Sequence, residues 1–428
     1  MTSPAECSCD GPGLLALDQA VARAVALCRP VTDTDDAPLA AAAGRISAAP
    51  LVAPEPMPRF DHAAMDGYAL RGEDLGGKDP GGSGPWQLPV AGLAAAGGAA
   101  PAVQRAPHAL RILTGAPIPA GFDRVVMQED CTAGGGMVTI RRDPGPGANI
   151  RRAGEDARAG QTLFPAGRRI DAVAVALAAI AGRPLLPVVR QIRVGVMTFG
   201  DELVAPGATP GPAAIHDSNR PMLLAALARP DIAAADLGAL PDDQAAITTA
   251  IAAAAGRFDL IVSTGGASVG DRDHLKPAFL AAGGRIEGWR VAMKPGKPVM
   301  FGHIGDAVFL GLPGNPVAAL LGLRLFGTAM IRRLQGRPAE PAPAMATAGF
   351  THARRAGRRE FLPARLTFGP PGTPPVVVTT GGSGAARLVP LATATGFAVI
   401  PAGHGAVGPG DAVGWLPFTE TEISGDMS

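Results

Sequence analysis

The chain has 428 residues, of which 47% are apolar and only 4% aromatic. At about 100–200 residues per domain, this length predicts three or four domains with cores built from Ala, Leu, Val and Ile. Its 38 basic and 37 acidic residues leave a formal charge of +1, which argues against a nucleic-acid or anionic-membrane surface and leaves any anionic ligand to a local cluster.

The N-terminal MTSPAECSCD has neither the basic start nor the apolar core of a secretion signal. The longest apolar run, Ala172 to Ala181, is about half the ~20 residues of a membrane helix. Cys7, Cys9, Cys28 and Cys131 suit a reducing compartment, and Cys7-x-Cys9 lacks the second pair of a zinc site. A soluble, cytoplasmic protein is expected.

Helical periodicity is expected over Leu15–Ala26 and again over Leu39–Ala48. Pro50, Pro54, Pro56 and Pro58 then interrupt regular structure. From 59 to 150 the segments are short and separated by Gly-Gly and Pro-Gly turns, with strands expected at Trp86–Ala91, Ala109–Leu113, Arg124–Gln128 and Met137–Ile140. A helix over Ile170–Ala181 follows. These patterns predict a small helical domain, 14–58 and 151–188, interrupted by an inserted β domain, 59–150.

At Gln191 the pattern changes. Strands expected at Ile192–Met197, Ile232–Leu240, Leu260–Ser263 and Val308–Leu312 alternate with helices at Arg220–Ala228, Asp243–Ala255, Lys276–Ala282 and Pro316–Leu334. Such alternation predicts a doubly wound, mostly parallel α/β domain, 189–337. Pro338, Pro341 and Pro343 form the next linker, and 338–428 reads as a β-rich C-terminal domain.

Ligands of parallel sheets bind beyond the carboxyl ends of the strands, and the informative strings fall there. The loop Gly265 to Gly270 keeps bulk away from its backbone, so its N–H groups are open to a phosphate or a ring edge. By itself it reads first as an ordinary tight turn. Lys294 and Lys297 flank a stiff Pro-Gly pair and suit a phosphate or oxyanion, or form a solvated basic turn. Asp201, Glu202, Asp242, Asp243, Asp271 and Asp273 gather carboxylates at the same edge. Near phosphates such carboxylates point to Mg²⁺, although one of Asp242 and Asp243 also suits a helix N-cap. Leu312-Pro313-Gly314-Asn315-Pro316 places a Gly-Asn turn at a helix start, where exposed N–H groups favour an anion.

Together the strings FDHAAMDGYAL (60–70), ILTGAPIP (112–119), VVMQED (125–130), NIRRAGED (149–156), GDEL (200–203), STGGASVGDRD (263–273), KPGKP (294–298) and GLPGNPVAA (311–319) resemble the molybdopterin molybdenumtransferase family, which includes the E domain of gephyrin. The resemblance implies that the C-terminal β domain is a barrel, and that the protein is a homodimer whose active cleft mixes two subunits. It implies insertion of molybdenum from molybdate into adenylylated molybdopterin, releasing molybdenum cofactor and AMP, with Mg²⁺. Further partners implied are a molybdopterin adenylyltransferase and acceptor apoenzymes, with no nucleic acid and no membrane.

Carried over onto this sequence, the resemblance assigns catalysis to Asp242, Asp273, Lys294 and Lys297, with Asp242 and Asp273 on the metal. Substrate binding falls to Asp66, Thr114, Asp156, Glu202, Gly265, Gly266, Ser268, Pro313, Asn315, Pro316 and Arg358. Asp66, Thr114 and Asp156 are expected to reach in from the other subunit. Phe199 stands where a Thr is usual, Ala318 where a Ser often follows GLPGNPV, and Ala385 and Ala386 where relatives commonly carry a serine. Three other readings remain open on the sequence. One is a molybdopterin adenylyltransferase, which needs neither the first 185 residues nor the C-terminal domain. Another is a hydrolase using Ser268 in Gly266-x-Ser268-x-Gly270. The third is a pterin-binding scaffold without catalysis.

Overall fold

The computed structural model describes residues 14–75, 83–98, 106–266, 274–340, 342–381 and 387–420. Its contacts divide into a larger unit, 1–48, 167–172 and 185–428, and a smaller unit, 49–166 and 173–184. No helix among the described residues is long and apolar enough to cross a membrane.

The larger unit is built on a six-stranded sheet. Its strand order is Ile232–Leu240, Ile192–Phe199, Leu260–Thr264, Ala307–Leu312, Met300–Ile304 and Arg285–Trp289. The first four run parallel and the last two pair antiparallel. Leu260–Thr264 is buried at every position, as expected of a parallel strand covered on both faces. On one face Val194, Val196, Val262 and Leu310 share a core with Leu17, Ala20 and Ala24 of the N-terminal helix and with Leu223, Val317 and Ile331. On the other, Met197, Ile261 and Phe309 pack against Ile247, Ile251, Leu275 and Phe279. The doubly wound α/β expectation therefore holds.

The two antiparallel strands are absent from the sequence reading. Gly302 and His303 dilute the apolar pattern of Met300–Ile304. Gly302 is required there, because a β-carbon would come within 2.1 Å of the Arg285 carbonyl on the neighbouring strand. The helix expected over Leu39–Ala48 extends only over Leu39–Ala42. Ala43 leaves helical geometry and Gly44 takes a φ of +81°. The helix from Pro316 continues through a π-helical stretch, Leu323–Gly327, to Leu334.

The C-terminal strands close a five-stranded barrel. Arg359–Thr367 pairs with Val376–Thr379, then follow Ala344–Ala348, Ala412–Pro417 and Gly396–Ile400, which pairs back with Arg359–Thr367. Closure removes the open edges that would invite aggregation. A short strand, Met293–Lys294, runs parallel to Arg359–Glu360 and so attaches the KPGKP loop to the barrel.

The smaller unit carries a second six-stranded sheet, in the order Arg124–Met127, Gly67–Leu70, Ala109–Ile112, Ser83–Ala94, Met137–Arg142 and Cys131–Gly134. Leu51–Val52 pairs with Thr162–Phe164, and the helix Ala172–Ile180 completes the unit apart from its first residue.

Candidate active site

Three loops meet at the carboxyl edge of the parallel strands. The first strand ends at Phe199, and Gly200 N–H donates to the Leu240 carbonyl at 3.2 Å. The Asp242 amide donates to Asp201 Oδ1 at 3.0 Å, drawing the two acidic loops together. Burial pushes the Asp242 carboxyl pKa up, and the neighbouring Asp201 and Glu202 carboxylates push it further. Asp243 plays the other part: it caps the helix Gln244–Ala255 by accepting from the Ala246 amide at 2.8 Å.

The glycine loop packs on this edge. Gly265 has a φ of +88°, and a β-carbon there would lie 2.2 Å from the Phe199 carbonyl oxygen. Only glycine meets both demands. The buried Thr264 hydroxyl donates to the Pro313 carbonyl at 2.8 Å. Asn219 Nδ2 donates to Thr264 Oγ1 at 3.0 Å and to the Gly314 carbonyl at 2.6 Å. These bonds lock Gly265 and Gly266 beside Pro313, Asn315 and Pro316. Ser268, Asp271 and Asp273 lie outside the described residues, as do Ala385, Ala386, Cys7 and Cys9.

The lysine loop turns at Gly296, with a φ of +100°, and a β-carbon there would sit 3.6 Å from that of Ala318. This contact joins the loop to the helix that begins at Pro316. Lys294 Nζ lies 2.8 Å from Glu360 Oε1. Arg358 Nη1 donates to the Met293 carbonyl at 3.3 Å, and Arg354 Nη2 donates to the Arg358 carbonyl at 2.8 Å. Lys297 is exposed.

In the smaller unit, Asp66 accepts from both the amide and the hydroxyl of Thr114, each at 2.7 Å. Those two bonds hold the Asp66 carboxyl below its usual pKa. Asp156 pairs with Arg151 at 2.7 Å, and Asp61 with Arg152 at 2.6 Å. Ala63 and Ile150 are partners in a two-stranded ladder, and Gly115 N–H donates to the Ala63 carbonyl. Three strings separated in sequence thus form one polar patch.

Among the described residues, no group of three or more His, Cys, Asp or Glu side chains is placed to hold a metal ion alone. Asp201 and Glu202 lie close enough to Asp242 for their charges to raise its carboxyl pKa.

Residues 15–182 match the MoeA N-terminal region (domain I and II), 195–333 a probable molybdopterin binding domain, and 345–418 the MoeA C-terminal region (domain IV). A molybdopterin molybdenumtransferase of Haemophilus influenzae is 37% identical over 351 residues, covering 81% of this chain and 85% of its own. The chain belongs to the molybdopterin molybdenumtransferase family. Membership makes it a transferase. Molybdopterin molybdenumtransferase 2 of Mycobacterium tuberculosis is also 37% identical, over 389 residues, 89% of this chain and 93% of its own. A crystal structure of the molybdopterin biosynthesis MoeA protein of Pyrococcus horikoshii superposes with a TM-score of 0.80 at 26% identity, covering 94% of this chain and 100% of that one.

Two residues of this molybdenumtransferase-family site escape the sequence reading. Asn219 looks like an ordinary first residue of a helix, and only its bonds to Thr264 and Gly314 reveal its part. Glu360 left a fainter trace, as one acid inside the apolar strand Arg359–Thr367 whose side chain is 2% exposed.

Proposed function

We propose that this chain inserts molybdenum from molybdate into adenylylated molybdopterin, yielding molybdenum cofactor and AMP in a Mg²⁺-dependent reaction. The coarser statement, molybdenum insertion in cofactor biosynthesis, follows from relatives named molybdopterin molybdenumtransferase across most of the chain. The observation that supports the finer one is the crowding of Asp201 and Glu202 around Asp242, at the strand edge where Gly265 packs on the Phe199 carbonyl.

In this reading Asp242 and Asp273 hold Mg²⁺, which when bound neutralises the phosphoanhydride and polarises its bridging bond. Gly265, Gly266 and Ser268 place their N–H groups against pterin or nucleotide, with Glu202, Pro313, Asn315 and Pro316 shaping the same rim. Lys297, Lys294 and Arg358 balance the charge of the molybdate dianion, and Arg358 offers the planar fork that suits tetrahedral oxyanions. Asp66, Thr114 and Asp156 act from a second copy of the chain in a homodimer.

The test is incubation with adenylylated molybdopterin, molybdate and Mg²⁺, following AMP release and metal bound to pterin. Release that depends on both ions is expected. Binding of the pterin without any AMP release would sink the reading in favour of a scaffold.

A further inference from the structure

Glu360 is the buried point at which the lysine loop meets the barrel. Its backbone is the register partner of Lys294, and its carboxylate faces three cationic or ionisable groups. Lys294 Nζ lies at 2.8 Å, His352 Nε2 at 3.2 Å and Arg354 Nε at 3.4 Å. The Lys294 side chain is 43% exposed while that of Glu360 is 2% exposed. The ammonium therefore rests at the surface with its counter-charge behind it. The contact is an ion pair on the buried side, which leaves N–H donors of the ammonium for a ligand in front. The same carboxylate holds Arg354, whose guanidinium grips the Arg358 carbonyl.

We infer that Glu360 is a positioning residue for oxyanion binding, acting through Lys294: it pins the ammonium of a flexible lysine where a tetrahedral dianion meets it. This rests on the reading of KPGKP and Arg358 as the molybdate side of the site. Two effects of removing Glu360 oppose each other. Losing a negative charge favours an anion, but the freed four-carbon stem must then be ordered at every binding event. Ordering dominates, because the attraction gained at a 43% exposed ammonium is screened by water.

Molybdate binding is measured by equilibrium dialysis with metal detection, a readout that needs no turnover. In Glu360→Gln the dissociation constant for molybdate should rise about tenfold, with affinity for adenylylated molybdopterin unchanged. In a Lys294→Ala background the same substitution should add nothing further. Glu360→Asp, which retains the charge one methylene further back, should fall between and covers the case in which the glutamine variant does not fold. Molybdate affinity that is unchanged or tighter in the folded Glu360 variants overturns the proposal. So does an undiminished loss in the Lys294→Ala background, or a wild-type chain that binds no molybdate. Wild-type binding without AMP release would instead remove the proposed reaction and leave this positioning role standing.

Discussion

Asp242 and Asp243 are adjacent acids with opposite duties. The Asp242 pKa is raised, so its charged form is disfavoured in the folded chain by burial, Asp201 and Glu202. Asp242→Asn therefore removes a repulsion, and its melting temperature should equal or exceed that of the wild type. AMP release should nevertheless fall on the order of 10²-fold or more if this carboxylate holds the metal. An active Asp242→Asn enzyme would refute that assignment. Gly265→Ala tests the neighbouring loop. Its φ of +88° and the 2.2 Å approach to the Phe199 carbonyl, a backbone atom with little room to yield, should cost about 1–3 kcal/mol in denaturant unfolding and distort the substrate rim. The motif residues are legible in sequence because they occur as strings. Glu360 and Asn219 are not, since Glu360 meets Lys294 66 positions away and Asn219 meets Thr264 and Gly314, 45 and 95 positions away.

Elements follow the same logic. Three of the parallel strands, Ile192–Phe199, Leu260–Thr264 and Ala307–Leu312, are legible because strands covered on both faces must be apolar. Arg285–Trp289 and Met300–Ile304 were hidden because their pairing depends on tertiary closeness at Gly302 and Gly288, where β-carbons would strike Arg285 and Phe301. The helix Gln244–Ala255 was legible to within a residue, its start marked by Asp243. Asp243→Ala should cost about 1 kcal/mol, within the usual range for a lost N-cap, and thermal melts should show it. Turnover should be retained, because the side chain points to the Ala246 amide. A severe loss of activity with intact stability would instead give Asp243 a place in the chemistry. The β-rich character of the barrel segment is legible in the sequence, but the short strand that ties it to Lys294 is not, since two residues carry no periodicity.

On the scale of the whole molecule, one carboxylate stitches distant segments of the larger unit. Glu420 contacts Arg229 at 2.5 Å, Arg337 at 2.9 Å, Arg332 at 3.2 Å and Arg169 at 3.4 Å. Asp231 contacts Arg229 and Arg169 at 2.8 and 3.1 Å. Burial alone would raise both carboxyl pKa values, yet the arginines hold each at about 2. A folded pKa below the unfolded one, 4.5 for the glutamate, means the stabilisation is complete above about pH 4.5 and drains away as pH falls towards 2. Glu420→Gln leaves buried guanidinium groups short of a counter-charge and should cost about 3–5 kcal/mol at neutral pH. Because the titrating group is gone, the gap between wild type and variant should narrow on acidification, and urea unfolding at pH 7, 5 and 3 measures it. A gap that stays constant or widens over that range would show that Glu420 acts through packing and not through its charge.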